Sequence, residues 1–211
     1  MTTEQVFVKN DGEGLDKALR VAENFAKETK LTGRNAMHLR LITEELLGMV
    51  RAIAGEFTAL FWLDGDDKEC SLHLMADVDM DPDKRRELIA ASTSKKNEAA
   101  KGIMGKIREL VEVGMENYDE VGKLQVKYGV DPLCYGTMGI DNETMSQAML
   151  SWSLNQYRNS LSEAGSGEGY YEAAWDELEK SVVANVADDV RVGIRNDKVQ
   201  IEIYKKFSGK S

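Results

Sequence analysis

The hydrophobic repeat of this chain changes period along its length, and that change limits the fold more than any other feature of the sequence. From Leu15 the apolar residues Leu15, Ala18, Leu19, Ala22, Phe25 and Ala26 recur at helical spacing, with Gly33 a few residues beyond the expected end. A second helical run, about residues 35–54, carries Leu39, Ile42, Leu46, Met49, Val50 and Ile53, with Gly55 as its stop signal. The period then drops to two. Phe57–Leu63 and Cys70–Asp77 read as strands joined by Asp64-Gly65-Asp66-Asp67, and Val190–Arg195 and Val199–Tyr204 repeat that pattern around Asn196-Asp197. Gln5–Val8 adds a short strand at the start. Antiparallel hairpins interleaved with amphipathic helices predict an α+β fold, a two-layer α/β sandwich with helices on one face of the sheet.

Further helices are expected from Pro82 toward Ala91 and at about 99–114, separated by the polar loop Ser92–Asn97. Beyond an irregular stretch with Gly129, Pro132, Gly136 and Gly139, two long helices are expected at about 142–163 and 169–187. Gly165-Ser166-Gly167 lies between them and suggests a helical hairpin. Charge sets this region apart. Residues 113–189 hold 14 Asp plus Glu against 4 Lys plus Arg, which is the whole formal charge of −10, together with six of the seven tyrosines. The organisation expected is therefore residues 1–112 as the first part of an α/β domain, 113–189 as an acidic, aromatic-rich, mainly helical insertion, and 190–211 as a hairpin completing the sheet.

That acidity makes nucleic acid or an anionic membrane a poor partner, because the electrostatic attraction that drives such binding would be repulsion. No window approaches the ~20 apolar residues of a membrane span, and Met-Thr-Thr-Glu lacks the basic and apolar parts of a signal peptide, so a cytoplasmic location is expected. Cys70 and Cys134 match no zinc or redox spacing and read as reduced, packed thiols.

The order of elements, and the residues at two of their joints, resemble the GHKL ATPase superfamily of histidine kinase-like folds, nearest to the anti-sigma-factor serine kinases. In that family a long helix carries a Glu followed four residues later by an Asn. Here Leu41-Ile42-Thr43-Glu44-Glu45-Leu46-Leu47-Gly48-Met49 occupies the place, so the resemblance makes Glu45 the general base and puts Met49 where the magnesium-binding Asn belongs. The family's hairpin ends in Asp-x-Gly-x-Gly, whose Asp binds the adenine amino group. Asp77-Val78-Asp79-Met80-Asp81 keeps that Asp and replaces both glycines. Gly102-Ile103-Met104-Gly105 before a helix partly matches the glycine-rich phosphate turn, with Lys101 and Lys106 adding positive charge. Ser92–Lys96 takes the place of the family's mobile ATP lid or is a solvated loop.

The departures alter the chemistry. A thioether is a soft ligand and magnesium wants hard oxygen donors, so Met49 cannot replace the Asn. Asp79 and Asp81 resist the backbone conformations that glycine allows. They also repel a polyphosphate, at a cost on the order of 3 kcal/mol per like-charge pair 5 Å apart. The expectation is a degenerate, anti-sigma-factor-like regulatory module that binds another protein, a signalling or transcription regulator, with weak or no ATP binding and no cofactor. Two alternatives stand beside it. One is an active serine kinase or ATPase using ATP and magnesium with altered metal geometry, in which Asp79 and Asp81 recruit the cation. The other is a binder of a different small ligand in the old nucleotide cleft. A homodimer through the helical hairpin is compatible with each.

Plainer readings accompany these residues. Glu45 is either a base facing a cleft or a boundary carboxylate reaching solvent, and Gly102 and Gly105 serve either phosphate or packing. Asp77-x-Asp79-x-Asp81 is no EF-hand, because Pro82 stands where glycine is needed and Leu88 where the bidentate Glu belongs. His38 and His73 have no ligand-spaced neighbours, and His73 reads as an ordinary hydrogen-bonded histidine. Met138, Met145 and Met149 near Trp152 suggest core or a helix contact.

Overall fold

The computed structural model describes residues 1–53, 56–77, 103–116, 150–163, 169–195 and 198–207. The expected helix after Pro82, the loop at 92–97, Asp79, Asp81, Lys101, Gly102, Cys134 and both inter-element turns at 165–167 and 196–197 lie outside them. Six strands form one antiparallel sheet: β1 (Val6–Lys9), β2 (Thr58–Gly65), β3 (Glu69–Asp77), β4 (Leu150–Ser153), β5 (Asp189–Arg195) and β6 (Lys198–Lys206), in the order β1-β2-β3-β6-β5-β4. Six helices accompany them among the described residues: α1 (Leu15–Glu28), α2 (Gly33–Ala52), α3 (Ile103–Glu116), α4 (Leu154–Glu163), α5 (Gly169–Lys180) and α6 (Val182–Val186). The α+β class is thus as expected, and the C-terminal hairpin joins the first by pairing β6 with β3.

Period-two patterning and register together make the core. Val6, Phe61, Leu74, Ile201, Val192 and Trp152 stand opposite one another across all six strands, and each is buried. A parallel row of Leu63, Leu72, Ile203 and Val190 is wholly buried. A one-residue slip in any strand would turn its apolar set outward, so these rows fix the register. The helices pack on this face in a single apolar cluster. The opposite face carries Phe7, Leu60 and Met75 in one row and Trp62, His73, Glu202 and Arg191 in the next. Phe7 there is 67% exposed.

Local chemistry sets where each helix begins and ends. Gly14 precedes α1 with φ 78°, and a Cβ at that position would sit 1.9 Å from the Phe7 carbonyl oxygen, so only glycine lets α1 start against β1. Helix α1 then buries Leu15, Ala18, Val21, Ala22, Phe25 and Ala26 as one stripe. Gly33 opens α2 rather than lying between helices. Asn10 ties the end of α2 to the start of β2, donating from Nδ2 to the Ile53 carbonyl at 2.9 Å and accepting from the Phe57 N–H at 3.1 Å. That clamp holds the last turns of α2 over the sheet.

The expected helix at 142–163 is corrected: residues 150–153 are strand β4, paired with β5, and the helix begins only at Leu154. Ser153 caps it by accepting from the Gln156 N–H at 3.3 Å, and Asp189 accepts from the Asn155 N–H at 3.2 Å. The expected helix at 169–187 is also interrupted. Ser181 leaves helical geometry and its Oγ accepts from the Ala184 N–H at 3.2 Å, starting α6 afresh. Helix α3 runs through the expected boundary at 112–113, and β4 with α4–α6 supplies the far edge of the sheet and part of its helical layer.

Candidate functional site

A cleft of about 240 Å³ opens between α2 and α3, lined by Glu44, Glu45, Gly48, Met49, Ala52, Met104, Gly105 and Arg108. Two features of the sequence build it. On α2, Glu45, Gly48, Met49 and Ala52 share one face by their three- and four-residue spacing. On α3, Met104, Gly105 and Arg108 do the same. Small side chains at Gly48, Ala52 and Gly105 leave the groove open, and a Cβ at Gly48 would meet nothing within 4 Å.

Glu45 and Gly105, singled out from the sequence, therefore meet in one cleft together with Met49. Glu45 is exposed at the lip, while Met49 is buried in the wall. Asp77 is the last residue of β3, its backbone opposite Lys198. Gly102, Asp79 and Asp81 lie outside the described residues. Among the described residues no three His, Cys, Asp or Glu side chains converge as metal ligands would.

The positive charge of the cleft differs from expectation. Lys106 does not line it. Its ammonium group instead contacts the Tyr157 hydroxyl at 2.6 Å and Glu177 at 2.6 Å, and sits 4.8 Å from the Tyr157 ring centroid. Burial pulls the Lys106 pKa down, but Glu177 and Tyr157 push it up further, and the net shift is upward. The cation on the cleft wall is Arg108, only 8% exposed. The sequence held a signal for it: Arg108 follows Met104 by four residues and Gly105 by three, which puts it on their face and Lys106 off it.

The carboxylates of the lip are unequal. Arg40 donates from Nε to Glu44 at 2.8 Å and from Nη1 to Glu23 on α1 at 2.9 Å, so Glu44 shares one exposed guanidinium with Glu23. Glu45 makes no hydrogen bond or ion pair among the described residues.

Both histidines lie elsewhere. His73 donates from its Nε2–H to the Asp64 carboxylate at 2.7 Å and stacks on Trp62 with centroids 4.8 Å apart, the hydrogen-bonded role expected of it. Burial, with Lys205 and Arg34 nearby, lowers the pKa of His38. Cys70 is buried, and loss of hydration pushes its thiol up to about 12. No described helix is long and apolar enough to cross a membrane. The chain matches no family model, no curated protein and no solved structure.

Proposed function

We propose that the chain is a degenerate GHKL-type ATPase domain, nearest to the anti-sigma-factor serine kinases, that acts in the cytoplasm as a regulatory module by holding another protein and binds ATP weakly or not at all. One observation carries the reading: Glu45 and Met49 share a cleft with Gly105, and the buried thioether of Met49 stands where the resemblance requires a magnesium ligand. A thioether is not an oxygen donor, so at that position the metal finds nothing in place of its water. The completion of the sheet by the C-terminal hairpin supports the same assignment.

A protein partner or a second copy of the chain is supported by the outer face of the sheet, where Phe7 stands beside Leu60, Trp62 and Met75 with no described element over them. Calorimetric titration of the full chain with ATP and ADP, with and without magnesium, tests the proposal. Weak or absent heat in every condition is expected. Magnesium-dependent saturable binding, or phosphate release by the purified chain, refutes it and restores the kinase or ATPase alternative.

A further inference from the structure

We propose that the outer face of the sheet holds a second copy of this chain, in a two-fold dimer with the two sheets packed face to face. The proposal rests on one part of the reading above, that this face holds a protein, and it names which protein. Register defines the face. From one end to the other, β2 turns Thr58, Leu60, Trp62 and Asp64 away from the core. Phe7 and Met75 flank Leu60, and the His73 ring stacks on Trp62, so the centre of the face is apolar. No described element lies over it, and Phe7 projects 67% exposed, a large apolar surface that a facing sheet would take out of water.

Charge selects a second copy. Lys9 stands opposite Thr58 at one end of the apolar centre, and Asp64 stands at the other. A two-fold axis lying between the sheets and across the strands exchanges the two ends. Lys9 of each chain then meets Asp64 of the other while the apolar centres meet each other. A partner of uniform sign would be attracted at one end and repelled at the other. Both groups have capacity for the contact. Lys9 bonds Glu13 and Asp64 bonds His73 through one oxygen, which leaves donors on the ammonium and an acceptor on the carboxylate, and the two side chains are 41% and 45% exposed. The formal charge of −10 belongs wholly to residues 113–189, whose strand β4 is at the sheet edge opposite β1, so the rest of the chain meets its copy without net repulsion.

The contact uses the face and not the edge. The Lys9 N–H donates to the Glu13 carbonyl at 2.9 Å, and the turn at Gly14 lies against the Phe7 carbonyl, so β1 does not offer these backbone groups to a further strand. Area agrees. At about 4.8 Å between strands and about 3.4 Å per residue, the face over β1, β2, β3, β6 and β5 projects to roughly 600 Å². The relief of its side chains brings that near the ~800 Å² per partner of a stable interface. Facing sheets cross at about 30° and interdigitate their side chains, a geometry that suits Phe7, Leu60, Trp62 and Met75.

Sedimentation equilibrium of the full chain tests the proposal. The wild type should sediment at twice the mass of one chain at about 10 μM. Phe7→Asp should weaken association at least about thirtyfold, as loss of a central anchor does. Its circular dichroism and urea midpoint should stay native, because the side chain is exposed in the single chain. Met37→Asp, which alters another exposed apolar side chain, on α2, should leave association unchanged. Lys9→Glu and Asp64→Lys should each weaken association about tenfold, and the two together should recover most of the loss.

A single chain at every concentration up to about 100 μM overturns the proposal. So does an assembly larger than a dimer, a dimer that Phe7→Asp leaves intact or that Met37→Asp dissolves equally, or charge variants that fail to rescue one another. A monomeric chain that also fails to bind ATP leaves the function proposed above standing with a different protein on the face, whereas magnesium–ATP binding refutes that function whatever the oligomeric state.

Discussion

Replacing Lys106 by Met should loosen the acidic segment from the wall of the cleft, at a cost that can be worked from its contacts. Lys106 leaves α3 and reaches Tyr157 on α4 and Glu177 on α5, with its side chain only 13% exposed. Losing a hydrogen bond from an ammonium group to a hydroxyl costs about 1.5–3 kcal/mol. Losing the contact with the Tyr157 ring costs about 0.5–1 kcal/mol more. The Glu177 side chain is 37% exposed, so its ion pair adds about 1 kcal/mol at most. The Met side chain keeps the apolar stem in place and returns part of the loss, leaving about 2–3 kcal/mol.

Urea unfolding of Lys106→Met, Glu177→Gln and the double variant measures this. Glu177→Gln alone should cost about 1 kcal/mol, and the double variant should fall short of the sum by about 1 kcal/mol, because the second change removes an interaction already gone. Additivity within about 0.5 kcal/mol would refute the argument that the pair is coupled. The pH dependence has a definite sign. The folded pKa of Lys106 is raised above its ordinary 10.5, so the contribution is complete below 10.5 and is lost as pH rises through the folded value. Wild-type stability should therefore decline more steeply than that of Lys106→Met in that alkaline window.

Asp189 is 5% exposed and accepts from Ser153, from the backbone N–H of Asn155 and Val190, and from Arg191, so Asp189→Ala should cost about 2–4 kcal/mol and Asp189→Asn about half as much, read as a shift in denaturant midpoint. In a Cys134→Ser background, Cys70 should resist an aromatic disulfide reagent at pH 8 until the chain is unfolded, since its thiol is pushed up to about 12; fast labelling of the native protein would contradict its burial. The lowered pKa of His38 means that the unfolded chain takes up a proton first as pH falls below 6.5. Stability should fall there, and His38→Asn should lose less between pH 7.5 and 5.5 than the wild type.

The two hairpins and the first two helices were legible because each is decided by a local period. Leu72, Leu74 and Ala76 alternate into the core as their spacing says, and the buried stripe of α1 contains five of the six residues read from the sequence. Strand β4 was not legible. Met145, Met149 and Trp152 fall at helical spacing, while Leu150–Ser153 offers only four residues of alternation. Its conformation is set by pairing with β5, whose first residue lies 36 positions beyond Ser153.

The cleft divides in the same way. Glu45 and Met49 were readable as an i, i+4 pair on one helix, but the wall facing them comes from packing α3 against α2, which no local pattern reports. Lys106 looked like the cation of the site because it is next to Gly105 in sequence. The helical rotation of 100° per residue sends it toward α4 and α5 and gives the wall to Arg108.

The pairing of β3 with β6 joins Asp77 to Lys198 and Glu69 to Lys206, so the middle of the sheet closes between segments more than a hundred residues apart. During synthesis at 5–20 residues per second, β3 waits about 6–26 s for its neighbour to be made. Through that interval its edge, with Leu72 and Leu74 turned to the future core, is open to any other nascent strand. The C-terminal hairpin is thus the event that ends the chain's vulnerable period, and truncations that remove it should yield inclusion bodies rather than a smaller soluble domain.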